Sequence, residues 1–207
     1  LIKAGVNVNQ AHNDGRSPLW QASQEGNVDT VKVLIKAGGN VNQARTTDGC
    51  SPLYVASHFG NADTVKVLIK AGGNVNQTKT DDGRTPLYVA SENGNVDTVK
   101  LLIKAGGNLN QAKTDTGSTP LYIASQNGNI DTVKVLIDAG GNVNQATIDD
   151  GTSPLYMASQ EGNIDLVKVL LAAGGNVNQA RTDDGRTPLY IASQQEHVDI
   201  VRVLIDA

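Results

Sequence analysis

Three histidines, a single cysteine and three adjacent aspartate pairs are the side chains of this 207-residue sequence that could do chemistry. A histidine serves as general base or metal ligand when it stands in fixed relation to a nucleophile or to further ligands. His12, His58 and His197 each have different surroundings, and no HExxH, Walker-type or GxGxxG pattern is present. Cys50 follows Asp48-Gly49 with no base beside it, so a solvated turn thiol is expected, not a nucleophile. As the only cysteine it can form no intramolecular disulfide, which points to a reducing compartment. The pairs Asp81-Asp82, Asp149-Asp150 and Asp183-Asp184 have the oxygen chemistry of calcium ligands. Two of them run straight into glycine as Asp-Asp-Gly turns at Gly83 and Gly151, and the third does so at Gly185, so turn formation accounts for them. No catalytic residue, metal or cofactor is expected.

The elements that position these groups follow from a repeat. All six prolines (Pro18, Pro52, Pro86, Pro120, Pro154, Pro188) recur with a period of 34 residues, and Gly15, Gly49, Gly83, Gly117, Gly151 and Gly185 keep the same step. A fixed period in this range marks a stacked array. Within Asp82-Gly83-Arg84-Thr85-Pro86 the glycine supplies a turn, Thr85 an N-cap and Pro86 the first helical position. A short helix is expected from Pro86 and ends at Gly94; Asn95 is expected to cap a second helix running through Val99 and Leu102 to Gly106. Asp97 and Lys104 sit at the ends the helix dipole favours. An extended, turn-rich finger leads to the next copy. Aromatic content of 3% is too low for one large core, so burial must come from Val, Leu, Ile and Ala between neighbouring copies.

The run Thr85-Pro86-Leu87-Tyr88-Val89-Ala90, followed by Gly94, Val99-Lys100-Leu101-Leu102-Ile103 and Gly106, resembles the ankyrin repeat, whose pattern is T-P-L-H-x-A on a period of 33. The resemblance extends over nearly the whole chain. It implies an all-α solenoid of helix-turn-helix units with β-hairpin-like fingers: a single array, 1–207. Residues 1–9 read as the tail of a truncated repeat, with repeats at about 10–42, 43–76, 77–110, 111–144, 145–178 and 179–207. The family's histidine is replaced by Trp20, Tyr54, Tyr88, Tyr122, Tyr156 and Tyr190, and its Gly-Ala-Asp by Gly-Gly-Asn. In such a stack equivalent carboxylates are spaced like the helices, ~8–10 Å apart, too far to share a calcium ion that needs ligands at ~2.3–2.6 Å.

The resemblance also implies a concave, partner-binding side made of fingers and first helices. The copies differ from one another on that side. The pair after Ala-Ser supplies His58, Phe59, Glu92, Asn93, Gln126, Asn127, Gln160 and Glu161; finger tips supply Arg45, Thr47, Lys79, Asp81, Lys113, Asp115, Ile148 and Arg181; Arg16, Arg84 and Arg186 follow Asp-Gly, and Trp20 takes the histidine slot. These are the candidate contact residues for a protein or peptide ligand. Phe59, the only phenylalanine, is the sharpest of them, as anchor or as satellite core against Tyr54 and Val55; Met157 fills a slot held elsewhere by Val or Ile and is read as packing. By contrast Lys32, Lys66, Lys100, Lys134 and Lys168 scarcely vary along the second helices.

Net charge is −4, and the finger side holds the acidic excess while the second helices are slightly basic. That disfavours nucleic acid and favours a partner with some basic groups. No apolar run approaches the ~20 residues that span a bilayer, so no membrane association and an intracellular, cytoplasmic location are expected. The chain is expected to be a monomer, with end-to-end contacts open to its uncapped terminal repeats. Glu196-His197 replaces the Gly-Asn of other copies; glutamate in a left-handed turn costs ~1 kcal/mol or more, which puts that turn under pressure to remodel. The main reading is a non-catalytic protein–protein interaction scaffold. The alternatives are an architectural spacer, or a substrate for asparagine hydroxylation, which the resemblance would place at Asn42, Asn76, Asn144 and Asn178.

Overall fold

A computed structural model describes residues 5–207; of the expected N-terminal helix tail, residues 1–4 lie outside the described residues. Two compact units divide the chain, Leu1–Asn108 and Leu109–Ala207. The first contains α1 (Pro18–Gln24), α2 (Val28–Lys36), α3 (Pro52–His58), α4 (Ala62–Lys70), α5 (Pro86–Glu92) and α6 (Val96–Lys104). The second contains α7 (Pro120–Gln126), α8 (Ile130–Asp138), α9 (Pro154–Gln160), α10 (Ile164–Ala172), α11 (Pro188–Gln194) and α12 (Val198–Ile205). No strand occurs among the described residues.

The first helix of each copy starts where its sequence requires. In α5, Thr85 is extended at the N-cap and its Oγ1 accepts from the Tyr88 N–H at 3.1 Å, with Pro86 at the first helical position. The other first helices begin alike, on Ser17, Ser51, Thr119, Ser153 and Thr187. Second helices stop in a glycine motif: Gly106 takes φ +88° and donates to the Ile103 carbonyl, and Gly107 donates to that of Leu102.

In the first unit α1, α3 and α5 pack in succession, backed by α2, α4 and α6. Its core is Leu19, Leu53, Leu87, Ala56, Ala90, Val31, Val65, Val99, Leu68 and Leu102, buried between neighbours. The second unit repeats the plan, with α7, α9 and α11 backed by α8, α10 and α12, around Leu121, Leu155, Ala124, Ala158, Val133, Val167, Leu136 and Leu170. Each of the leucine and valine side chains contributes roughly 1.5–3 kcal/mol when fully buried. Met157 is buried at the Val and Ile slot, as packing requires.

Asn95 occupies the N-cap of α6 but does not cap it, contrary to expectation. Its Nδ2 instead donates across to the previous copy, to the Ser57 and His58 carbonyls at 3.0 and 3.1 Å. Asn61 does the same toward Ser23 and Gln24. The carbonyls that end a first helix have no intrahelical donor, and satisfying them from the next copy locks two copies together. Only Asn163, among the asparagines at this place, is seen bonding its own helix, accepting from Leu166 N–H at 3.1 Å.

The Glu196 turn is not remodelled. Glu196 takes φ +58°, the only non-glycine residue at positive φ among those described, and keeps the helix-ending bonds of the glycine copies: His197 N–H to Ala192 carbonyl and Glu196 N–H to Ser193 carbonyl. His197 takes over the asparagine staple, with Nε2 3.0 Å from the Gln160 carbonyl. The neighbouring bonds hold glutamate in a conformation it would not choose alone.

Candidate functional site on the finger side

Each finger is closed by its own backbone. Arg45 N–H donates to the Cys50 carbonyl at 2.8 Å and Gly49 N–H returns to the Arg45 carbonyl at 2.9 Å; Lys79 with Arg84 and Thr147 with Thr152 repeat the first bond. One backbone bond joins adjacent fingers within a unit, from Thr80 N–H to Asp48 carbonyl and from Thr182 N–H to Asp150 carbonyl. Asparagines tie the finger bases. Asn42 donates to the Gly72 carbonyl at 3.1 Å and accepts from Asn74 N–H at 2.8 Å; Asn76 does so with Gly106 and Asn108, and Asn144 with Gly174 and Asn176. The side-chain positions above them are therefore fixed by bonds that do not depend on tip residues.

In the first unit this frame encloses a concavity of about 320 Å³ between the second and third fingers and α1 and α3. Phe59 stands at its edge, 53% exposed, at the C-cap of α3, held from behind by the Asn95 staple on the His58 carbonyl. His58 packs against it edge-on with ring centroids 4.9 Å apart, and Asn93 Nδ2 lies 3.2 Å from His58 Nδ1. Arg45, Lys79 and Arg84 line the wall, and Trp20, Cys50 and Tyr54 the floor. Phe59 thus projects from the frame and is not folded into satellite core.

The wall cations are all engaged. Arg45 pairs with Asp48, Lys79 with Asp81 at 2.7 Å, and Arg84 with Asp82 at 2.7 Å and Glu92 at 3.2 Å. The Arg45 hydrogen bonds hold the Asp48 carboxyl far below the usual carboxylate range, against burial. Elsewhere Arg16 pairs with Asp14, Lys113 with Asp115, Arg186 with Asp184, and Arg181 with Asp150 and Asp183. Carboxylates this committed to neighbouring guanidinium and ammonium groups are structural first.

Two expectations are corrected. Cys50 is buried, not solvated: the Trp20 Nε1–H reaches its carbonyl at 3.0 Å and draws the finger over the thiol. Burial, with the Asp48 carboxylate 3.1 Å from Sγ, pushes the thiol up to about 12, so it stays protonated and unreactive at neutral pH. Trp20, counted as a contact residue, is 4% exposed and forms floor, its ring flanked by the Arg16 and Arg45 guanidinium groups at 5.5 and 5.0 Å.

The remaining candidates lie apart from Phe59. Arg16 lines a separate concavity with His12 and Asp14 at the first finger, and Thr47 is an exposed tip. In the second unit Gln126, Asn127 and Glu161 are exposed at the ends of α7 and α9, and Ile148 is 71% exposed on its finger. Gln160 is half-buried, with its carbonyl held by His197. Asp48, Cys50 and Tyr54 are not expected as contact residues from sequence: Asp48 reads as part of the turn, Cys50 as a solvated thiol and Tyr54 as the occupant of the histidine slot, and only the fold brings them together in the lining of the concavity.

The family described as Ankyrin repeats (3 copies) matches over residues 1–79, 71–147 and 142–207. The chain therefore belongs to the ankyrin repeat family, a class of helical repeat proteins that are in general non-catalytic and serve protein–protein interaction. No curated protein matches it. No described helix is long and apolar enough to cross a membrane.

Proposed function

We propose that the chain is a non-catalytic recognition module that binds a peptide or protein segment across the finger side of its first unit, with Phe59 as the anchor. The observation that carries this reading is an exposed aromatic ring standing beside a concavity with an apolar floor and a charged wall. Half-exposed aromatics that become buried on binding supply a large share of interface energy. The Asn95 staple and the closed fingers hold the surface in place beforehand, so little ordering entropy is lost on binding.

The finger-side cations of the first unit are already matched to carboxylates, so the field there is set by the acids in excess, including exposed Glu25. A partner with basic groups is favoured, chiefly through association rate. The hydroxylation reading is disfavoured for the folded chain, because the Asn42, Asn76 and Asn144 amides each donate and accept within the frame.

Selection of peptides from a displayed library on the intact chain, followed by titration against Phe59→Ala and Arg84→Ala, tests the reading. Selected peptides should lose tenfold or more in affinity with Phe59→Ala. Affinities unchanged by both substitutions would leave the finger side without a partner and favour the spacer.

A further inference from the structure

The second helices of the first unit carry a surface of the opposite character. On the finger side every arginine and lysine pairs with a carboxylate. On α4 and α6, Lys66, Lys70 and Lys104 are exposed and make no ion pair among the described residues. They rim a depression of about 300 Å³ whose remaining lining is Ile69, Leu101 and Ala105, all partly exposed.

Comparison of the copies shows that this composition is local. The slot of Leu101 holds valine in every other second helix: Val33, Val67, Val135, Val169 and Val203. The last-turn position reads Lys36, Lys70 and Lys104 in the first unit but Asp138, Ala172 and Asp206 in the second. A helix C-terminus favours a cation by its dipole, yet α8 and α10 form with aspartate and alanine there. The frame does not require these lysines. They coincide with the one copy that carries leucine in this partly exposed slot.

We infer that this face of the first unit is a second docking site, distinct from the finger side, and that its occupant is an acidic protein segment bearing an apolar side chain. Carboxylates pair with Lys66, Lys70 and Lys104 while the apolar group enters between Ile69 and Leu101. Helices about 10 Å apart are bridged by one turn of a polyproline-II segment, three residues at about 3.1 Å each, which returns every third side chain to the same face, so acids at every third residue meet both helices. Asp63 and Asp97, exposed in the first turns, repel the same segment and confine it to the lysine end. The apolar atoms are recessed behind ammonium groups, which suits an inserting side chain and not a bilayer. With neither arginine nor an aromatic ring in the lining, the site lacks the usual groups for stacking bases.

The test is fluorescence anisotropy at low salt with the intact chain and a labelled peptide of about 12 residues, glutamate at every third position and leucine between. Saturable binding is expected, weakened at least tenfold by Lys66→Gln/Lys70→Gln/Lys104→Gln and about fourfold by Leu101→Val, the worth of one buried methylene. Replacing the peptide leucines by serine should also weaken it. Phe59→Ala and Lys134→Gln/Lys168→Gln should leave it unchanged, and insensitivity to Phe59→Ala separates this site from the finger-side reading. Absence of binding would overturn the inference, as would equal loss in the second-unit variant. Equally tight binding of a single-stranded oligonucleotide or of phosphatidylserine vesicles would also overturn it. So would a dimer in sedimentation that the triple variant abolishes, since the occupant would then be a second copy.

Discussion

The second and fifth fingers share a backbone and differ in how they neutralise one aspartate. In the second, Asp48 is held by Arg45 of the same finger, with Cys50 and its backbone N–H completing the shell. In the fifth, the matching places are Thr147 and Thr152: Thr147 Oγ1 donates to Asp150 at 2.7 Å, and the charge comes from the following finger, Arg181 at 3.0 Å. Arg181 also lies over the Tyr156 ring at 5.6 Å, and Tyr156 is 1% exposed. Beside the second finger Phe59 is left projecting; the equivalent position beside the fifth is Glu161. The same hydrogen-bonded frame thus carries an open aromatic edge in one unit and an arginine-covered floor in the other. Fingers closed by backbone and asparagine bonds tolerate this exchange because none of those bonds uses a tip side chain.

The largest expected effect separates floor from edge. Tyr156→Ala should destabilise by about 3–5 kcal/mol, as loss of a buried aromatic does, whereas Phe59→Ala should cost less than ~1 kcal/mol. Urea unfolding of the two variants measures this directly, and equal costs would return Phe59 to the core. An intermediate effect concerns the turns. Glu196→Gly relieves a positive φ and should stabilise by about 1 kcal/mol; Gly60→Ala should destabilise by a similar amount or more, since φ is +70° and a Cβ would meet the Asn95 side chain at 2.7 Å. A loss of stability in Glu196→Gly would show that glutamate has a role beyond filling the turn.

The smallest effect is electrostatic. The Asp48 carboxyl is lowered in the fold by Arg45, so its contribution is present above the unfolded value near 4 and is lost as pH falls below it. Arg45→Ala should remove about 1 kcal/mol or less at neutral pH and flatten the acid limb of stability measured between pH 5 and 2. The Cys50 thiol works in the other sense. Raised to about 12, it favours the fold fully below the unfolded thiol value, and that contribution fades as pH rises through the folded one. Cys50→Thr, which installs the residue of the fifth finger, should therefore matter little at pH 7 and reduce the loss of stability above pH 9.

Much of this was legible beforehand for a local reason. Thr85-Pro86 and Gly106 act through their own backbone geometry, and the helices begin and end there. Asn95 misled because an N-cap residue can bond its own helix or the copy before it, and only packing chooses between them. Cys50 misled because a turn position says nothing of what lies across it; Trp20, thirty residues earlier, covers it. The acidic excess was countable, but its pairing into Arg84–Asp82–Glu92 was not, since Glu92 reaches Arg84 only once α5 has folded back against its finger. The lysine-rimmed depression was missed because constancy along the second helices drew attention to Lys66 and Lys100, when the informative departure was Leu101.

The sequence alone determined the repeat, the position of every helix start and glycine stop, and the family, because each depends on neighbouring residues that a 34-residue period restates. Only the tertiary structure decided which charges cancel, which thiol is sealed and which aromatic stands out. Those outcomes belong to the contact between one copy and the next, where side chains far apart in sequence compete for the same carbonyls, carboxylates and apolar surface.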